Sequence, residues 1–74
     1  MGRLRVLSGR EVCRILERHG FVEVRRRGSH VVNQRRTAEG TTTIPVADHA
    51  ELKTGTLLSI IRQSGVARSE FAAF

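Results

Sequence analysis

The sequence predicts a single small α+β domain, and three observations carry that prediction. A capping box at Ser8-Gly9-Arg10-Glu11 opens an amphipathic stretch that Gly20 closes. Three stretches rich in β-branched residues follow, divided by Gly28-Ser29 and by a polar turn ending in Gly40. A second apolar stretch at helical spacing then leads to Gly65. The order is α-β-β-β-α. One three-stranded antiparallel sheet with both helices on one face is the simplest arrangement that buries these stripes.

Met1 to Leu7 reads as a basic and apolar lead-in, at most a brief extended segment. The first helix is expected over residues 9–19. The Ser8 hydroxyl accepts the Glu11 amide there, and the Glu11 carboxylate reaches back. Val12, Ile15 and Leu16 form its dry side, and Arg10, Arg14, Glu17 and Arg18 its wet side. Gly20 supplies the left-handed residue after it, with His19 at the negative end of the helix dipole. From Phe21 to Arg27, Val22 and Val24 alternate with charges, the period-2 pattern of a strand with one buried face. Gly28-Ser29 is a natural two-residue hairpin turn, and the second strand is expected from His30 to Arg35.

Alternation puts His30, Val32 and Gln34 on one face of that second strand and Val31, Asn33 and Arg35 on the other. Parity does not say which face is wet. A turn over Thr37-Ala38-Glu39-Gly40 leads to a third strand over Thr41 to Val46. Pro45 cannot donate a ladder bond, so this strand lies at an edge or ends there. Ala47 to Lys53 is a loop holding Asp48, His49 and Glu51. Thr54 is the expected cap of the second helix, with Leu57, Leu58, Ile60 and Ile61 behind it and Gly65 as its stop. Ser69 to Phe74 has the composition of a last short helical turn pinned by Phe71 and Phe74.

Composition narrows the function. The 74 residues hold 13 Lys+Arg against 7 Asp+Glu, a net charge of +6, and every cation but Lys53 is an arginine. The flat donor fork of arginine pairs bidentately with phosphate, so the balance points to nucleic acid or to an acidic protein partner. A chain this short buries only about 60% of its unfolded surface, too little to wall off a deep pocket, and no cofactor is expected. Cys13 is the only cysteine, which rules out an internal disulfide and a cysteine zinc site and suits a reducing compartment. Asp48, His49 and Glu51 are too few and too close for a metal-ligand set. No apolar run is long enough to span a membrane or to serve as a secretory signal, so a soluble, cytoplasmic protein is expected.

The chemistry concentrates at Arg25-Arg26-Arg27-Gly28-Ser29-His30, where three cations meet a turn and an imidazole. Cations attract a polyanion, and an imidazole moves protons near neutral pH. RNA carries its own nucleophile, the ribose 2′-hydroxyl. A metal-free ribonuclease therefore needs a proton-transfer group and cations that stabilise the phosphorane. His30 suits the first role, as general base or acid, and Arg26 or Arg27 the second. Ser29 is a possible hydrogen-bond donor, and Lys53 can meet phosphate at the start of the second helix. Such a reaction leaves a cyclic phosphate and a 5′-hydroxyl. Taken alone, an arginine run is most often a solvated face, and Ser29 is turn chemistry. His19 reads as a helix-end residue and His49 as a loop residue that assists or does nothing.

Several of these segments together resemble a known family. They are Ser8-Gly9-Arg10-Glu11-Val12, His19-Gly20-Phe21, Arg27-Gly28-Ser29-His30 and Ile44-Pro45-Val46, followed by the stretch from Glu51 to Gly65. The pattern is similar to the HicA toxins, the YcfA-like mRNA interferases, and the stretch Glu51 to Gly65 is its most specific part. The resemblance implies one HicA-like domain over residues 1–74, with its core at about 8–66. It also implies a fold like a double-stranded-RNA-binding domain and an endoribonuclease toxin of a type II toxin-antitoxin system. That toxin would cleave mRNA without a metal through a single catalytic histidine, which maps onto His30. A HicB-type antitoxin would cover the site. The chain departs from the family pattern at Val31 to Asn33, where many relatives carry a further His or an aromatic. It also departs at Leu58, where relatives often carry Lys or Arg. The alternative reading is a non-catalytic RNA-binding module of the same fold.

Overall fold

The computed structural model describes residues 3–73. Two helices and a three-stranded antiparallel sheet follow the expected α-β-β-β-α order, that of a double-stranded-RNA-binding-domain-like fold. Strand β1 (Arg3–Leu4) precedes helix α1 (Gly9–Arg18). The sheet comprises β2 (Val22–Arg27), β3 (His30–Thr37) and β4 (Gly40–Ala47), in the spatial order β2-β3-β4. Helix α2 (Thr54–Ser64) follows, then a 3₁₀ turn (Arg68–Phe71) and strand β5 (Ala72–Ala73).

Helix α1 starts where its sequence says it should. Ser8 is extended and its hydroxyl accepts the Glu11 amide at 3.0 Å, while a Glu11 oxygen accepts the Ser8 amide at 2.9 Å. Ser8→Ala is expected to lower the unfolding free energy by about 1 kcal/mol. The check is a shift of the urea midpoint at unchanged slope. The Ser8 amide, and after it the Ser8 hydroxyl, hold the Glu11 carboxyl below its ordinary range. A depressed carboxyl stabilises the fold above the unfolded-state value and stops doing so as pH falls through the lowered folded value. The contribution of the box should therefore fade in acid.

Helix α2 departs from expectation at its start. Lys53, not Thr54, is the N-cap, and no side chain caps the first turn. Gly65 ends the helix at φ 70°, where a side chain would be strained. Leu57 and Ile60 are buried, whereas Leu58 is 42% exposed.

The core forms between the helices and one face of the sheet. Val12, Ile15 and Leu16 of α1 meet Ile44 and Val46 of β4 and Leu57 and Ile60 of α2, with Leu7, Phe21, Val66 and Phe71 closing the ends. Register puts Val46 opposite Val31 and Ile44 opposite Asn33, so these residues share the helix-facing side. Asn33 is fully buried there, its amide reaching the carbonyls of Val31 at 3.1 Å and Ile44 at 3.5 Å. It also contacts the Cys13 sulfur at 3.5 Å. Burial pushes the Cys13 thiol up, so it stays protonated and packs as a small apolar group.

Strand β2 corrects the reading of its alternation. All six of its residues are exposed, with Val22 at 59% and Val24 at 43%, so it has no buried face. It is an edge strand, and the register slips between Glu23 and Arg25, leaving Val24 as the extra residue of a bulge. The other edge is β4, where Pro45 stands opposite Val32.

Two short segments far apart in the chain pair with each other, which local pattern does not reveal. Arg3 pairs with Ala73 and Leu4 with Ala72 in a second small sheet, and the Arg5 amide donates to the Phe71 carbonyl at 3.1 Å. Leu7 and Phe71 are thereby both sunk in the core. The expected last turn is a 3₁₀ turn pinned by Phe71; the role assigned to Phe74 lies outside the described residues.

Candidate functional site

The hairpin β2–β3 builds the site. Gly28 takes φ 59°, as a two-residue turn between twisted strands requires, and this brings Arg27 directly opposite His30. The face carrying His30, Val32 and Gln34 is the one turned away from the helices. Its neighbours on β4 are Ala47, Pro45 and Thr43.

The bulge decides which arginines join His30. Val22 lies opposite Gln34 and so starts on the open face. Uninterrupted alternation would then send Arg26 to the open face and Arg25 and Arg27 inward. The extra residue at Val24 inverts this: Arg25 faces Val32, Arg26 faces Val31, and Arg27 faces His30. Arg25, Arg27, His30, Val32, Thr43 and Pro45 line one shallow trough of about 460 Å³ on the open side. No carboxylate is among them. Val32 is only 6% exposed although it lies on this face, held between Arg25 and Pro45.

Arg26 turns to the helix side, where its Nη1 donates to Asp48 Oδ2 at 3.0 Å. It shares a depression with Arg10, Cys13, Arg14, Glu23 and Asp48. Of the two arginines expected beside His30, the fold brings Arg27 to it and sends Arg26 away. Arg25, part of the basic run but given no phosphate role from the sequence, takes the second position. Nothing in Val-Glu-Val-Arg-Arg-Arg signals the bulge, because Val24 suits either phase of a strand.

Ser29 sits at the exposed hairpin tip, and its carbonyl accepts the Asp48 amide at 2.6 Å. That bond fastens the loop after β4 to the turn before His30. Lys53 lies on the far side of His30, in a second depression of about 370 Å³ that also holds His49, Glu51 and Thr56. His30 thus forms the ridge between a basic trough and a pocket at the start of α2.

His19 is the C-cap of α1, its Nε2 3.1 Å from a Glu70 oxygen, remote from this face and occupied in holding the 3₁₀ turn. Among the described residues, no group of three or more His, Cys, Asp or Glu side chains is placed to hold a metal ion. No helix among them is long and apolar enough to cross a membrane.

Compared with known proteins, the chain matches no curated sequence. Residues 9–66 of its 74 match the family described as the HicA toxin of bacterial toxin-antitoxin systems. The match starts at the first residue of α1 and ends just beyond Gly65, so it takes in both helices and the whole His30 hairpin. The chain belongs to the HicA toxin family.

Proposed function

We propose that this toxin is an endoribonuclease that cleaves mRNA in the cytoplasm without a metal, and that a HicB-type antitoxin restrains it by covering the His30 face. The observation that supports this most is the register pair Arg27–His30 on an open, basic sheet face with no carboxylate lining its trough. His30 takes the proton of the ribose 2′-hydroxyl. Arg27 and Arg25 neutralise the phosphorane, whose charge grows as the oxygen attacks. Lys53 engages a neighbouring phosphate from the other side of His30, and Ser29 can donate to it from the turn. Arg26 contributes by holding Asp48, and with it the loop behind the site.

The test is induced expression of the wild type and of His30→Ala in a bacterial host that lacks the antitoxin. Growth arrest and RNA loss with the wild type alone are expected. Equal toxicity from both would remove His30 as the catalyst, and RNA binding without cleavage would favour a non-catalytic binding module.

The arginines separate by a salt titration on single-stranded RNA. Arg27→Ala should weaken binding and reduce the slope of log K against log salt by about 0.7, the value for one lost phosphate contact. Arg26→Ala should leave the slope unchanged and cost about 0.2–1 kcal/mol of stability through its exposed ion pair with Asp48. A slope change in Arg26→Ala equal to that of Arg27→Ala would overturn the face assignment.

A further inference from the structure

An in-line displacement at phosphorus brings the 2′-oxygen in on one side and expels the 5′-oxygen on the other. A base at the first oxygen is poorly placed to protonate the second. His30 therefore leaves the leaving group unserved. The loop after β4 carries a second imidazole, that of His49, with no part in activating the 2′-hydroxyl.

His49 shares with His30 the depression at the start of α2. Three contacts hold it there. Its position follows from the register, because His30 pairs with Ala47 and His49 lies two residues on. The Asp48 amide is bonded to the Ser29 carbonyl at 2.6 Å, and the His49 carbonyl accepts the Gly9 amide at 2.9 Å. Gly9 makes the third contact possible: a Cβ there would run into the Ala47 carbonyl. The loop is thus clamped between the first turn of α1 and the catalytic hairpin, and the His49 side chain is left exposed. The charged and titratable groups facing it in the depression are His30 from β3 and Glu51 and Lys53 from the loop itself. Lys53 favours a phosphate in this space.

We propose that His49 is the general acid of the cleavage reaction. This rests on the reading of His30 as the base. The 2′-hydroxyl proton passes to the His30 ring as the 2′-oxygen bonds to phosphorus. The P–O5′ bond breaks with its electron pair on O5′, and protonated His49 gives that oxygen its proton. A 2′,3′-cyclic phosphate and a 5′-hydroxyl leave, and proton exchange with water resets the two rings.

The test compares an RNA of normal linkage with one carrying a bridging 5′-sulfur at a mapped cleavage site, using chain made by cell-free synthesis. A thiolate leaves without protonation, so only the acid becomes dispensable. His49→Ala should slow cleavage of the normal linkage about 10²- to 10⁴-fold and recover to near the wild-type rate on the sulfur linkage. His30→Ala should stay slow on both. Wild-type rates in His49→Ala on normal RNA, or equal losses on both linkages, would overturn the acid assignment. Unimpaired cleavage by His30→Ala would instead overturn the base, so the two failures are distinguishable. His49→Gln, which keeps a polar side chain, should behave like His49→Ala. Circular dichroism melts of both variants should match the wild type, because the loop is held by main-chain bonds that the substitutions leave in place.

Discussion

His30→Ala is expected to reduce the rate constant for RNA cleavage by about 10²- to 10⁴-fold, the span a positioned proton-transfer group contributes. The same substitution should change stability by no more than about 0.5 kcal/mol, because the ring is exposed at a strand end and no core contact depends on it. RNA affinity and its salt dependence should also persist, since Arg25, Arg27 and Lys53 remain. Rate, melt and salt titration together separate a lost catalyst from a lost fold or a lost binding face. A fall in affinity that accounts for the whole fall in rate would show that His30 binds rather than reacts.

Arg35→Ala should produce the largest loss of stability among exposed and half-buried positions, about 2–4 kcal/mol. Arg35 projects from β3 toward the helices. Its Nη1 donates to the His19 carbonyl at 3.1 Å and its Nη2 to the Ser64 carbonyl at 2.8 Å. These carbonyls lie at the ends of α1 and α2, where backbone acceptors lack helical partners and the dipole is negative. One planar guanidinium thus serves both helix ends, and it stacks on Phe21 at 4.6 Å from the ring centre. Each charge-assisted bond contributes about 1.5–3 kcal/mol, the stack about 0.5–1, and the sum is reduced by solvent access. For a domain of this size the loss is a large share of the total and lowers the melting temperature by roughly 4–8 °C per kcal/mol. Arg35→Lys should recover less than half, since a point charge cannot bridge both carbonyls. A loss under about 1 kcal/mol in a denaturant titration would mean that water replaces the guanidinium at both ends.

The elements legible in the sequence are those held by neighbours in the chain. The Ser8–Glu11 box, Gly20 and Gly65 after the helices, and the Gly28-Ser29 turn each act over a few residues, and each sits where the pattern indicates. Strand β3 was equally readable, because His30, Val32 and Gln34 share a face by parity alone. Thr54 misled as a cap because the extended residue before the helix is Lys53, and its side chain makes no capping bond. Val22 and Val24 misled because an edge strand tolerates exposed valines and because the bulge breaks their alternation. The β1–β5 pairing was invisible, since two-residue strands about 70 residues apart carry no local signal.

For this protein, then, the sequence by itself determined the order of elements, the hairpin that presents His30, and its family. Tertiary structure alone decided that the His30 face is the open one, that Arg25 and Arg27 rather than Arg26 stand on it, and that His49 is clamped beside it. The physical reason is range. Caps, turns and side-chain period arise from contacts within a few residues, whereas a bulge, a covered sheet face and a fastened loop depend on residues far apart in the chain. The Asp48–Ser29 and His49–Gly9 bonds are of that second kind, and they are what bring a second imidazole to the site.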